Sequence, residues 1–376
     1  MAVPRFVSVL VLTVAFGWAM TACTAADEPG LWPTRSPSSS PAPALTSSAE
    51  PSSSAPPSTA VEIAHRIPIG DGPSVMVLDP GIELFTSYGG TVSIINIDQT
   101  RTGQFPQETL SVGPYSGALA IDVKAGLLYV ATENRKGVAT IAVLDFKRGV
   151  ETRTGEEREA KVIDTIVLGE GNQPNFLALD PKTGSLFVLD HSTLRVINTK
   201  SRKVTHTIPV GRRDSDGTWR MPLGLAVDPK AGVAIVSRSA RSWIIDTKSY
   251  AVEGINTGGG GPVTVDSTTS QAFIPNQEDG TVTVVDTTTR KLVKTIRVGD
   301  RFGPSGPVAV DPTAGLAYVT WWNDSALAVV DTKTLKVVER IPRIKGEVVE
   351  APLVVDPSTG SLYLASHGSV LVIPRR

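Results

Sequence analysis

Side chains able to do chemistry are few in this 376-residue chain and unevenly spread. There is one cysteine, Cys23, so no disulfide can form within the chain. There are four histidines, His65, His191, His206 and His367. No H-E-x-x-H, G-x-S-x-G or phosphate-cradling glycine loop occurs, so zinc hydrolysis on a helix, nucleophile-elbow chemistry and nucleotide triphosphate binding have no local signature. The densest polar cluster is "GRRDSDGTWRMP" at 211–222, which supplies Arg212, Arg213, Trp219 and Arg220, with Arg238 and Arg241 shortly after. A second cluster is Trp321, Trp322, Asn323 and Asp324. Tryptophan faces stack on planar or cationic groups, and guanidinium forks grip anions bidentately, so these residue types suit a partner with a planar or anionic part.

The elements that must position these groups come from a repeat. An aliphatic strand ending in Asp, a turn that contains Gly in six of the copies, and a second aliphatic or aromatic strand recur seven times, at Asp79, Asp122, Asp180, Asp228, Asp266, Asp311 and Asp356. "LALDPKTGSLFV" and "VAVDPTAGLAYV" are typical copies. Asp caps the turn backbone, Pro presets φ at the next position, and Gly takes the left-handed residue. Downstream of the first six copies a third strand ends in another turn, as in "TVVDT" and "AVVDT", and a fourth runs into Gly, as in "KTIRVG". Units of four β-branched-rich strands repeating at this length predict an all-β, seven-bladed β-propeller over 61–376.

The seventh unit has no fourth strand, because the chain stops shortly after "VLVIP". The first foldable stretch, "VEIAHRIPIG" at 61–70, matches the fourth-strand segment "KVTHTIPVG" at 203–211. It is therefore expected to complete the last blade and close the ring, leaving no bare edge there. His65 and His206 become equivalent outer-strand positions with structural roles.

"YVTW" at 318–321, "FIPN" at 273–276 and "YVAT" at 129–132, each after an Asp turn, resemble the YVTN-type (YncE-like) β-propeller repeat family. The resemblance covers essentially all of 61–376 and implies the fold; propellers host binding modules and enzymes alike, so it does not name a function. "AMTAC" at 19–23, after the apolar run 6–18, resembles a bacterial lipoprotein signal. That implies a signal peptide over 1–22, a lipidated Cys23 as the mature N-terminus, and an extracytoplasmic protein anchored to the outer face of the bacterial membrane. Residues 24–60 are rich in Ser, Pro, Ala and Thr, a composition too poor in large apolar groups to fold, and read as a stalk after the lipidated Cys. At roughly 3.1 Å per residue the stalk reaches about 100 Å.

In a propeller the turns joining strands one to two and three to four share one face of the disc; the turns from two to three and the links between blades share the other. The first set is uniform here and the second varies, which is where recognition is usually placed. Four residues past the aromatic position of the second strand, the seven units offer Gly89, Glu133, His191, Arg238, Gln277, Trp322 and His367, expected to ring the channel mouth with the Arg/Trp cluster. The leading reading is a binding or interaction module, monomeric, without cofactor, metal or catalysis, contacting a protein, glycan or small anionic ligand. The alternative is a hydrolase or lyase of the lactonase-like propeller type using Glu133, His191 and His367. Single-stranded nucleic acid is a weaker alternative, since 36 basic residues balance 37 acidic ones.

Overall fold

A computed structural model describes residues 12–13 and 62–375, except 71, 99–102, 104, 106, 147–159, 171–172, 211–220, 300–304, 322–325, 343, 345–346 and 348. Seven antiparallel blades are built, each of four strands. Blade 1 runs Val75–Asp79, Glu83–Tyr88, Thr91–Asn96 and Gln107–Ser111 from the centre outward. Its innermost strand also pairs with a two-residue strand, Leu12–Thr13. First strands of successive blades touch all the way round, Val349–Val355 of blade 7 returning to Val75–Asp79. The expected ring of seven is therefore present and closed.

Closure occurs as the repeat predicts. His65–Pro68 lies antiparallel to Ser369–Ile373, with His65 opposite Val372 and Pro68 opposite Ser369. The amide of Ala64 donates to the Val372 carbonyl at 2.9 Å and that of Ile69 to Gly368 at 3.0 Å, extending the pairing at both ends. Ile67 is completely buried between blades 7 and 1, against Met76, Leu84 and Tyr363. The N-terminal strand thus adds core as well as hydrogen bonds, worth about 1.5–3 kcal/mol for that side chain.

Every blade interface has its own apolar cluster, filled by inward-facing residues of the two sheets that meet there. Phe85 of blade 1 and Phe146 of blade 2 meet edge-on, with ring centroids 4.7 Å apart. The second-strand aromatics Tyr129, Phe187, Phe273 and Tyr363 are each buried in the cluster of a different blade interface.

The turn chemistry is local and repeated. In the turn after Asp228, its Oδ1 accepts the amides of Lys230 at 2.9 Å and Ala231 at 3.2 Å, and the Gly232 amide donates to the Asp228 carbonyl at 2.8 Å. Gly232 has φ 70°, the left-handed conformation the sequence pattern requires. The third-to-fourth-strand turns of blades 3 to 6 use the same five-residue geometry, but the left-handed position belongs to Arg202, Tyr250, Arg290 and Leu335. Here the Asp or Asn side-chain bonds hold the turn without glycine: Asp331 Oδ1 accepts from Lys333 and Thr334, and Leu335 donates to the Asp331 carbonyl at 2.9 Å.

The two outer-strand histidines occupy equivalent places in space. His65 of blade 7 meets Phe105 of blade 1 with centroids 5.2 Å apart, and His206 of blade 3 stacks on Tyr250 of blade 4 at 3.9 Å. Each fastens a blade to the next at the rim.

Candidate functional site

The loop face carries the turns between second and third strands and the links between blades. Between blades 1 and 2 it opens into a cleft of ≈ 510 Å³. One wall is the link Val112–Gly113–Pro114; the other is the turn Thr132–Glu133–Asn134–Arg135, with Thr140 and Thr165 behind it. The turn is held by Asn134, whose Oδ1 accepts the amides of Lys136 at 2.9 Å and Val138 at 3.1 Å. Thr132 Oγ1 donates to the Tyr115 carbonyl at 2.5 Å, tying the turn to the link. Gly113 permits this approach, because a Cβ there would run into Thr132 and the Glu133 carbonyl. Glu133 is half-buried and its Oε2 accepts from Gln173 Nε2 at 3.3 Å. Burial, and then the Glu133 charge, push the Tyr115 phenol above its ordinary range. The result is a polar cleft with a carboxylate and a guanidinium two residues apart, surrounded by hydroxyls.

No protein-family model matches the chain, and no curated protein matches it.

The remaining expected site residues fall differently. Arg212, Arg213, Trp219 and Arg220 lie outside the described residues, as does Trp322; Trp321 is described only as strand backbone, paired with Ser305 and Ala326. Cys23 also lies outside them. Arg238 is 4% exposed and so is held inside the loop face. The reason is the link Gly258–Gly261, which crosses directly over it: a Cβ on Gly260 would overlap the Arg238 carbonyl. Arg241 is exposed, but its guanidinium sits 4.8 Å over the Trp243 ring, above Gly254 of the neighbouring strand. Arg238 and Arg241 therefore do not form one open sector.

His191 and His367 are both exposed, on the second-to-third-strand turns of blades 3 and 7. His191 is presented by a turn locked from below. Asp190 is buried, accepts the amides of Ser192 at 2.9 Å and Thr193 at 2.7 Å, and pairs with Arg195 at 2.5 Å. His367 stands beside Glu347, a residue the sequence reading did not single out. Glu347 joins the closing strand to the loop face: Arg66 grips both of its oxygens and Ser366 Oγ donates to Oε2 at 2.7 Å. Burial pushes this carboxyl up, but Arg66, Ser366 and the His367 charge outweigh it and hold it below the ordinary range. Among the described residues no three His, Cys, Asp or Glu side chains converge as a metal would need.

The opposite face offers a pair of carboxylates, Asp79 and Asp356. Burial, and then the charge of Asp356, raise Asp79, and the Gly81 amide donates to Asp356 Oδ2 at 3.2 Å. On that face a cavity lined by Leu78, Pro80, Val310 and Pro357 measures only ≈ 30 Å³, room for a water molecule or two and no organic substrate.

Proposed function

We propose that this chain is an extracytoplasmic, lipid-anchored β-propeller of the YVTN type that acts as a binding module, recognising its partner through the loop face. One observation carries the reading. The two faces of one scaffold differ: the Asp-turn face repeats one hydrogen-bonded five-residue turn between the first and second strands of blades 2 to 7, whereas the loop face varies and holds a cleft of ≈ 510 Å³ bearing Glu133 and Arg135. Varied loops on a uniform frame place recognition groups without cost to the frame. The lipoprotein-like "AMTAC" and the Ser/Pro-rich stalk support a domain held out from a membrane.

Metabolic labelling with an alkyne fatty acid tests the anchor: the wild-type chain takes up label and stays with membranes, and Cys23→Ser loses both. Capture from detergent-solubilised membranes tests the face. Glu133→Ala with Arg135→Ala abolishes what the wild-type chain retains, whereas Lys182→Ala with Lys230→Ala, on the Asp-turn face, does not. Equal capture by all three proteins would refute recognition at the cleft.

A further inference from the structure

Charge around the rim is not evenly distributed. The outer strand of blade 5, Lys291–Arg297, carries Lys291, Lys294 and Arg297, and that of blade 6, Lys336–Ile341, carries Lys336 and Arg340 against Glu339 alone. Outer strands of blades 1, 2 and 4 lean acidic, with Glu108, with Lys161 against Asp164 and Glu170, and with Glu253. The whole chain is close to neutral, at a formal charge of −1. Blades 3 and 7 carry one outer-strand cation each, Lys203 and Arg66, the latter paired with Glu347, so the basic sector is centred on blade 5 and extended by blade 6.

Two of these cations bridge the two blades through neutral oxygens, and a third bonds a carbonyl of its own blade. Lys294 Nζ donates to the Leu335 carbonyl of blade 6 at 2.8 Å, and Arg340 Nη1 donates back to the Val298 carbonyl at 2.5 Å. Arg297 Nη1 donates to the Asp279 carbonyl at 3.2 Å. Carbonyl partners orient the groups without cancelling their charge. Exposed aliphatic side chains lie among them: Leu292 at 46%, Val293 at 48% and Val338 at 56%. A cluster of cations interleaved with exposed aliphatics is the composition that binds an anionic bilayer surface, where headgroups meet the charges and acyl-chain boundaries meet the apolar groups. The next blade round the ring is blade 7, whose outer strand, His65–Pro68, is the one that the stalk enters.

We propose that the rim of blades 5 and 6 docks on anionic lipid headgroups, so that a domain tethered by its stalk lies edge-down on the membrane. Tethering raises the local concentration of membrane surface, so a weak contact suffices. The inference rests on the domain working at a membrane, but its test does not depend on the anchor.

The test uses the full chain carrying Cys23→Ser, which cannot be acylated, and co-sedimentation with vesicles of phosphatidylcholine alone or mixed with phosphatidylglycerol. Binding is expected only to the phosphatidylglycerol vesicles, falling as salt rises. Each basic residue removed weakens it about fivefold, so Lys291→Ala, Lys294→Ala and Arg297→Ala together lower it on the order of 100-fold. Lys291→Glu alone, at an exposed position that leaves the core untouched, lowers it by roughly 25-fold. Lys182→Ala, Lys200→Ala and Lys230→Ala together, an equal loss of charge on the Asp-turn face, change it by no more than about twofold. Indifference to phosphatidylglycerol, or an equal loss in the control triple, overturns the proposal. Failure here with intact labelling at Cys23 removes this inference and leaves the anchored binding module standing.

Discussion

The Asp-turn face and the loop face are made from the same strands, yet they solve opposite problems. On the Asp-turn face one geometry is copied in blades 2 to 7: an Asp or Asn oxygen accepts one or two amides, and the fifth residue turns left-handed to send the chain back, whereas in blade 1 the left-handed residue, Gly81, comes two after Asp79. Blades are then stitched there by side chains of the same turns, as when Thr287 Oγ1 donates to Asp228 Oδ2 at 2.5 Å and Arg290 reaches Asp246 at 2.8 Å. On the loop face each blade uses a different device, from the glycine link over Arg238 to the Asp190–Arg195 pair and the Arg66–Glu347 latch. Repetition marks the part that carries stability; variation marks the part left open to function.

The largest expected effect tests the first half of that contrast. Asp228→Ala strips two amides and the Thr287 hydroxyl of a buried acceptor, and chemical denaturation should show a loss of about 3–4 kcal/mol. Glu133→Ala, on the loop face, should stay within about 0.5 kcal/mol of wild type. Next comes a place where the contrast bends. Gly260→Ala sits on the loop face, but its Cβ would overlap backbone, so a loss of about 2–3 kcal/mol is expected by the same measurement. A silent Gly260→Ala would mean that the link does not lie over Arg238.

Acid sharpens the comparison further, because each face holds a carboxylate below its ordinary range, Asp246 and Asp331 on the Asp-turn face and Glu347 on the loop face. Asp246 is lowered from 3.8 to about 2, by the Ser249 amide first, with further bonds from Lys248, the Ser249 hydroxyl and Arg290 outweighing burial. The ionised form is the one the fold favours, so its contribution is complete above the unfolded pKa and disappears as pH falls from about 4 toward 2. Asp246→Asn should therefore flatten the acid limb of the melting-temperature profile in that window. The group is partly exposed and screened, which limits its share to about 1 kcal/mol. Glu347→Gln should do the same on the loop face, since its folded pKa is also depressed. The smallest effect is a gain. Ser270 occupies the left-handed position that Gly takes in blades 2, 3, 4, 6 and 7, at φ 57°, and Ser270→Gly should stabilise by roughly 0.5–1 kcal/mol.

How far the chain could be read follows from the range of the interactions. Turns of the kind built on Asp180 and Asp311 act over five residues and follow six of the seven repeat aspartates, so their chemistry is visible in a single copy and its recurrence discloses the architecture. Ring closure was legible by symmetry, since "HRIPIG" and "HTIPVG" are one element used twice, and His65 and His206 proved alike in contact as well as in sequence. The site was harder. Arg66 and Glu347 lie 281 residues apart, and no local pattern joins a closing strand to a link six blades later. Glu133 was anticipated from its place after Tyr129, but its cleft needs Gly113 and Pro114 of another segment to form the facing wall. Arg238 was expected at the mouth; four consecutive glycines at 258–261 were the signal that backbone would pass over it, because only glycine tolerates so close an approach.

Hydrogen–deuterium exchange of the full chain, with and without solubilised membrane extract, tests the division of labour between the faces without requiring the partner to be known. Peptides spanning 112–117 and 132–138 should gain protection when extract is added, while those spanning 228–232 and 311–315 should exchange as before. Protection confined to the Asp turns, with the cleft unchanged, would contradict the assignment of recognition to the loop face.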